Sequence, residues 1–328
     1  MRIAVLGAGA WGTALAVAFH RAHAVRLWSR PGTSREALQR ERASPYLPGV
    51  ALPTEVVIDD DLRSAVAQAE LVIIATPTAG LREALRALAA HQADPAVLFA
   101  CKGFESDTGL LPHDVVAQAL PAARLTGALS GPSFALEVAQ GLPAALTVAS
   151  ADAAFASRVA AALNGPRLRL YSSTDLVGVE LGGALKNVVA VAAGIADGLS
   201  LGRNARAALI TRGLAEIARL GHALGGRPET FMGLTGLGDL VLTCTGDLSR
   251  NRTVGLRLAK GEPLAAILAS LGHVSEGVAS AQSAARLAAA RGIDMPITAA
   301  VCRVLFEGEA PLRAVESLLA RDPRAESA

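Results

Sequence analysis

Residues Arg2-Ile-Ala-Val-Leu-Gly7-Ala-Gly9-Ala-Trp11-Gly12-Thr-Ala-Leu-Ala pass from an apolar run into a helical one through the pattern Gly7-x-Gly9-x-x-Gly12. In a chain with 32 glycines the pattern alone carries little weight. Here a strand precedes it, a helix follows it, and a second strand, Ala24-Val-Arg-Leu-Trp28, stands at the spacing of a βαβ unit. Gly7 makes the tight turn, Gly9 lets the backbone approach a pyrophosphate, and Gly12 permits close helix–strand packing. The free N–H groups of the helix N-terminus face the anion. The stretch predicts a dinucleotide-binding Rossmann-like fold; a plain βα turn is the alternative.

Further βα signals extend the sheet. Leu71-Val-Ile-Ile-Ala-Thr-Pro-Thr, Ala96-Val-Leu-Phe-Ala-Cys and Arg124-Leu-Thr-Gly-Ala-Leu-Ser-Gly-Pro-Ser each run from a strand into a polar or glycine-rich turn. Ligands of open α/β sheets bind beyond the carboxyl ends of the strands. The Thr76-Pro77 turn, Lys102 and the Gly131–Ser133 loop belong to that edge. Two short strands, Ala144–Ala149 and Leu168–Tyr171, complete a mostly parallel α/β domain over residues 1–174. After the second strand an NAD-only site usually places a carboxylate against the ribose 2′-hydroxyl. This chain offers Trp28-Ser29-Arg30, with Arg35 further on. NADP(H) is therefore favoured, through Arg30 on a 2′-phosphate, with NAD(H) the other option and a solvated loop arginine the competing view.

From Asp175 the pattern turns helical, predicting an all-α domain over 175–328 with a frayed tail from Arg321. The chain has three lysines against 28 arginines, and Lys186 sits in the almost wholly apolar Glu180-Leu-Gly-Gly-Ala-Leu-Lys-Asn-Val-Val-Ala. Lysine can release a proton near neutral pH where arginine cannot. A snorkelling ammonium is the plain alternative, but Gly182 and Gly183 open that helix face to another group. Dry surroundings would lower the pKa toward proton exchange with a substrate oxygen. Asp239, after Thr235-Gly-Leu-Gly, is either a helix N-cap or a carboxylate aimed away from the helix start. Thr243, four residues on, shares its face. Ser249-Arg250-Asn251-Arg252 ahead of a helical run is a phosphate cradle or a solvated turn. Lys260 reads as an ordinary surface charge.

Composition narrows the function. Hydrophobic residues make up 52% and charged ones 18%, so much of the chain is buried. A net charge of +2 without basic runs argues against nucleic acid. Cys101, Cys244 and Cys302 are odd in number and scattered, suggesting reduced thiols in a cytoplasmic protein, and the histidines lack metal-ligand spacing. The first strand begins at Arg2, and no apolar run reaches spanning length uninterrupted, so neither a signal peptide nor membrane insertion is expected.

The chain resembles the bacterial NAD(P)-dependent sn-glycerol-3-phosphate dehydrogenases almost from end to end. The matching stretches include Gly7-Ala-Gly-Ala-Trp-Gly-Thr-Ala-Leu-Ala, Tyr46-Leu-Pro-Gly, Cys101-Lys-Gly, Leu129-Ser-Gly-Pro-Ser-Phe-Ala and Glu180-Leu-Gly-Gly-Ala-Leu-Lys-Asn. Later come Asn204-Ala-Arg-Ala-Ala-Leu-Ile-Thr-Arg-Gly, Gly233-Leu-Thr-Gly-Leu-Gly-Asp-Leu, Ser249-Arg-Asn-Arg and Val274-Ser-Glu-Gly. The resemblance implies reversible reduction of dihydroxyacetone phosphate to sn-glycerol 3-phosphate, the backbone precursor of glycerophospholipids. It implies Lys186 as proton donor and acceptor, with Lys102 touching both substrate and cofactor. Asn187, Asp239 and Thr243 would hold the polar end of the substrate, Ser249, Arg250 and Asn251 its phosphate, and Gly131 and Ser133 would line the site. Trp11, Arg30, Tyr46, Ala135, Arg250, Val274 and Glu276 would contact the dinucleotide. Two departures are visible: Ala10 stands where a serine is common in the glycine loop, and Arg203 where an acidic residue is common before Asn204.

Two other functions fit parts of this pattern. A β-hydroxyacid-type dehydrogenase would share the Rossmann half and the Lys186-Asn187 pair, but Asp239 and Ser249-Arg-Asn-Arg favour a phosphorylated three-carbon substrate. A non-catalytic dinucleotide sensor would have little use for Lys102, Lys186 and Asp239 together. No metal is expected, and the apolar helical half suggests a homodimer.

Overall fold

A computed structural model of the protein describes residues 1–30, 32–91, 95–271 and 275–322. The first half forms a sheet of eight strands: β1 (Arg2–Leu6), β2 (Ala24–Trp28), β3 (Val57–Asp59), β4 (Leu71–Ile74), β5 (Val97–Phe99), β6 (Thr126–Ser130), β7 (Ala144–Ala149) and β8 (Leu168–Ser173). Their order is β3-β2-β1-β4-β5-β6-β7-β8. β1 to β6 run parallel, β7 meets β6 antiparallel, and β8 follows β7 in parallel. Alternate residues of β1 and β4 serve different cores. Ile3, Val5, Leu71 and Ile73 pack on one face, and Ala4, Leu6, Val72 and Ile74 on the other. Burial on both faces is why these strands read as unbroken apolar runs.

The strand absent from the sequence expectation is β3. Val57-Ile-Asp is too short to announce itself, and it gains its identity by pairing with β2, Arg26 opposite Val57. Arg26 donates from Nη1 to Asp59 Oδ2 at 2.8 Å, tying the edge strand to its neighbour. The chain runs outward from β1 to β3 and returns to β4 on the other side of β1, so the order reverses between β1 and β4. The turns after these two strands diverge there and leave a crevice.

Among the described residues every element after Ser173 is helical. The axis of this half is α2 (Leu176–Gly198), counted after α1 (Ala10–Phe19) of the glycine loop. Asp175 caps α2 by accepting from Gly178 N at 2.9 Å, and its other oxygen accepts from Arg227 N at 2.8 Å. Around α2 lie α3 (Gly202–Ala223), α4 (Asp239–Thr245), α5 (Arg250–Ala259), α6 (Glu276–Ala290) and α7 (Pro296–Phe306). Two cores flank it, one holding Leu181, Leu185 and Val189, the other Val188, Val191 and Ile195. α2 is the one described helix long and apolar enough to cross a bilayer, and 83% of that stretch is buried within the protein. It is the core helix of this half.

The two halves interpenetrate. Phe104 and Leu111, which precede the expected boundary, sit in the helical core beside Leu181 and Leu185, while Val179 of α2 packs with the sheet. Of the tail expected to fray, Arg321 bonds Asp294 Oδ2 at 2.6 Å, and residues 323–328 lie outside the described residues.

Candidate active site

The glycine loop is built as its spacing requires. Gly7 has a φ of +114°, and a Cβ at Gly12 would stand 1.8 Å from the Gly7 carbonyl oxygen, so only glycine lets α1 start this close to β1. A Cβ at Gly9 would meet nothing, because that position faces the crevice. The crevice is a cleft of about 1090 Å³ lined by Gly7, Gly9, Ala10, Trp11, Arg30, Tyr46, Thr76, Arg250 and Glu276, among others. Residues from both halves thus share one wall. Ala135 stands behind it, packed with Ala10 and Trp11 on the small cluster of Ala14, Leu47 and Val50. Val274 lies outside the described residues.

Three side chains in the cleft wall fit a polar occupant. Trp11 Nε1, Ser29 Oγ and Thr76 Oγ1 are buried without hydrogen-bond partners among the described residues, an arrangement that costs ~1–3 kcal/mol per group unless something arrives to bond them. Together with the glycine loop and the free N–H groups opening α1, they suit a dinucleotide. The carboxylate expected to be absent near Arg30 is in fact supplied from elsewhere. Glu83, remote in sequence, places Oε2 3.5 Å from Arg30 Nη1. Both side chains are more than 70% exposed, which makes this a weak surface pair. Arg35 donates instead to the Asp60 carbonyl oxygen at 2.7 Å.

Deeper in, the turns after β5 and β6 meet α2 and α4. Lys186 is 7% exposed and Asp239 1%, so neither is a surface charge. Lys186 Nζ donates to Asp239 Oδ1 at 2.5 Å and to Thr243 Oγ1 at 2.9 Å. Lys102 Nζ donates to the other oxygen, Oδ2, at 2.7 Å and to the Gly131 carbonyl oxygen at 3.1 Å. Ser133 Oγ donates to that same carbonyl at 3.0 Å. Asp239 is the first residue of α4, one position past the cap residue Gly238, and its carboxylate contacts Lys102, Lys186 and Thr243. The carboxylate therefore joins two ammonium groups, and the N-cap alternative fails along with the snorkelling one. The glycines of α2 make the approach feasible. A Cβ at Gly182 would stand 2.5 Å from the Thr235 carbonyl oxygen, and one at Gly183 would be 3.5 Å from the methylenes of Lys102.

Electrostatics follow from this burial. Removal from water lowers the Lys186 pKa to about 8; Asp239 works against the fall, and the neighbouring Lys102 charge adds to it. Burial works to raise the carboxyl of Asp239, but the two ammonium groups outweigh it and hold the group below its ordinary range. At Glu276 burial prevails and raises the carboxyl, partly offset by Arg250 and the two lysines.

The remaining residues expected here divide into two groups. Arg250, the first residue of α5, is exposed and reaches the cleft. Ser249 and Asn251 are turned inward. Ser249 Oγ caps α5 by accepting from Arg252 N at 3.3 Å. Asn251 Nδ2 donates to Asn187 Oδ1 at 2.9 Å, and its Oδ1 accepts from Ser275 Oγ at 2.7 Å and Gly277 N at 3.0 Å. Asn187 Nδ2 reaches Glu276 Oε2 at 3.3 Å, linking the neighbour of Lys186 to the cleft wall. Arg252 points away from the site, to Asp197 and Asp247. Sequence reasoning gave no role to Ser29, Thr76 or Ser275. Thr76 stood in a strand-end turn already placed on the ligand edge, Ser29 directly after the second strand, and Ser275 within the quoted Val274-Ser-Glu-Gly.

A dehydrogenase with a Rossmann-like sheet and a helical second half is the class this fold and site define. The family description for the N-terminal part of NAD-dependent glycerol-3-phosphate dehydrogenase matches residues 2–156, and that for the C-terminal part matches residues 175–316. The chain belongs to this family. It is 60% identical over 327 residues to a glycerol-3-phosphate dehydrogenase [NAD(P)+] of Thiobacillus denitrificans, covering 99% of this chain and 100% of the relative. A protein of the same name from Ralstonia nicotianae is 57% identical, with 100% and 99% covered. The crystal structure of the glycerol-3-phosphate dehydrogenase of Coxiella burnetii superposes with a TM-score of 0.93 at 40% identity, covering 98% of this chain and 99% of that one.

Proposed function

We propose that the protein interconverts dihydroxyacetone phosphate and sn-glycerol 3-phosphate, with Lys186 as the proton donor in reduction and the acceptor in oxidation. The supporting observation is the meeting of Lys102 and Lys186, one from each half, on the single carboxylate of Asp239. Held along the Gly7–Gly12 loop, a nicotinamide dinucleotide would supply the hydride for the substrate C2 carbon. The residues do the rest. An ammonium has three N–H donors, and those of Lys186 serve Asp239 and Thr243 and leave one for the C2 oxygen. As charge grows on that oxygen, the ammonium stabilises it and then transfers its proton. Asp239 keeps Lys186 oriented and offsets part of the cost of burying it. Lys102 sits beside it as a second positive group, and Gly131 and Ser133 close the floor.

Arg250 at the cleft is the side chain best placed for the substrate phosphate. Ser249, buried as the cap of α5, would act by holding that helix start beneath Arg250, while Asn251 and Asn187 would act mainly by fixing Glu276. NADPH is favoured over NADH on Arg30, since a 2′-phosphate would pair with it more strongly than the exposed Glu83 does. Residues 1–174 serve as the dinucleotide unit and 175–328 as the substrate unit. The three cysteines are free thiols, which suits a cytoplasmic protein. A homodimer has one supporting feature, a groove of about 880 Å³ in the helical half with Ile195, Leu209, Val301 and Leu318 in its walls. The decisive assay follows the fall in NADPH or NADH absorbance with and without dihydroxyacetone phosphate. A rate that ignores this substrate would overturn the assignment.

A further inference from the structure

Residues 102–113 connect β5 to the helix Pro112–Ala119 of the dinucleotide half, yet they are fastened to the helical half along their length. Lys102 at the start bonds Asp239 of α4 at 2.7 Å. Phe104 and Leu111 are buried in the core around α2. At the end His113 meets Glu180 of α2, and the contact uses both carboxylate oxygens. Oε1 accepts from the His113 backbone N–H at 2.8 Å, and Oε2 bonds the ring nitrogen Nδ1. Glu180 is 6% exposed. A carboxylate buried to this degree is costly unless its oxygens are satisfied, and here a helix start supplies one of its otherwise unpaired N–H groups. On the opposite side Thr78 Oγ1 donates to the Lys102 carbonyl oxygen at 3.2 Å, and Arg82 pairs with Glu105 at 2.8 Å. Between these anchors Gly103 and Gly109 take φ values of +125° and +71°, two points at which the segment turns.

We propose that Glu180 is a positioning residue for the reaction: by holding His113 it fixes the 102–113 segment against α2 and so sets the place of Lys102 beside Asp239 and Lys186. The inference rests on the role given above to Lys102. Glu180 lies six positions before Lys186 on the same helix, so one rigid element carries both the proton-exchanging lysine and the anchor for its neighbour. Releasing the anchor removes the tie at the His113 end and leaves Thr78, Arg82 and the buried Phe104 and Leu111 to hold the segment, a looser fastening that the long side chain of Lys102 would feel. Misplacement by about 1 Å can cost ~10²-fold in rate.

The test is a double-mutant cycle on the full-length protein with Glu180→Gln, Lys102→Ala and their combination, reading kcat and KM for dihydroxyacetone phosphate and Kd for NADPH. With Lys102 present, Glu180→Gln should lower kcat/KM for dihydroxyacetone phosphate by ~10-fold or more while leaving the NADPH Kd within about twofold. In the Lys102→Ala background it should cost less than about twofold further, a loss no larger than the usual scatter of such cycles, so that the two effects are coupled and not additive. Equal losses in both backgrounds, or a parallel loss of NADPH binding, would show a merely structural role and overturn the proposal. Full activity in Lys102→Ala alone would instead overturn the role of Lys102. Should Glu180→Gln not fold, His113→Ala removes the ring contact but keeps the backbone one. It should show the same dependence on Lys102, and additivity there would equally overturn the proposal.

Discussion

Lys186 Nζ lies 2.5 Å from Asp239 Oδ1, joining the middle of α2 to the first residue of α4 across 53 positions of sequence. The carboxylate is shared with Lys102, so two positive groups are held close in a buried space by one negative one. That balance makes the site sensitive to any change of charge.

Lys186→Ala should fold and bind dinucleotide yet lose at least ~10²-fold in kcat, the low end for acid–base catalysis. Lys186→Arg should be nearly as poor, since a guanidinium keeps its proton. Circular dichroism with steady-state kinetics checks both. Near-normal turnover in either would sink the assignment.

The pH dependence has opposite signs in the two directions. Reduction needs the ammonium, so its rate should hold below pH 8 and fall as pH rises through about 8; oxidation needs the amine and should rise over the same range. Folding lowers this pKa from the usual 10.5, so between the two values the folded chain holds fewer protons than the unfolded one, and Lys186 adds stability as pH rises there. Initial rates in both directions from pH 6 to 10 test this. Parallel profiles for the two directions would contradict it.

Asp239→Asn removes the negative charge to which both lysines are hydrogen-bonded. Breaking a buried pair from one side costs ~3–5 kcal/mol, so thermal denaturation should show a clear fall in Tm. Asp239 raises the Lys186 pKa, hence its loss should move the fall of the reductive profile to lower pH.

Arg30→Ala should weaken NADPH by about tenfold and leave NADH little changed, as expected for one charge-assisted contact worth ~1.5 kcal/mol. Glu83→Ala should do the reverse, freeing Arg30 for the phosphate. The ratio of kcat/KM for the two dinucleotides reads both variants, and a ratio unmoved by Arg30→Ala would remove the basis for preferring NADPH.

Gly182→Ala introduces a methyl 2.5 Å from the Thr235 carbonyl oxygen. The neighbour is backbone, so the turn carrying Asp239 must shift. Overpacking of this kind costs ~1–3 kcal/mol, and here activity should suffer beyond the loss of Tm. Wild-type turnover in this variant would show that the close approach is not needed.

The sequence by itself determined the βαβ entry, because Gly7, Gly9 and Gly12 act within one turn and Gly12 meets Gly7 directly. It also determined the helical second half, whose apolar spacing is local, and it marked Lys102, Lys186 and Asp239 by residue type and setting. Other features depended on distance. β3 exists through its pairing with β2, and Glu83 reaches the Arg30 loop from the helix Leu81–Ala89. Whether Asp239 capped a helix or served the lysines was undecidable locally, since both uses need the same carboxylate at the same helix start. Only the packing of α4 on α2 chose, by burying the carboxylate between two ammonium groups that it pairs with directly. The packing of α5 and of the helix Pro112–Ala119 against α2 likewise turned Asn251 inward and tied Glu180 to His113. A hydrogen bond needs its partner within about 3 Å, and which residues come that close is settled by the fold as a whole.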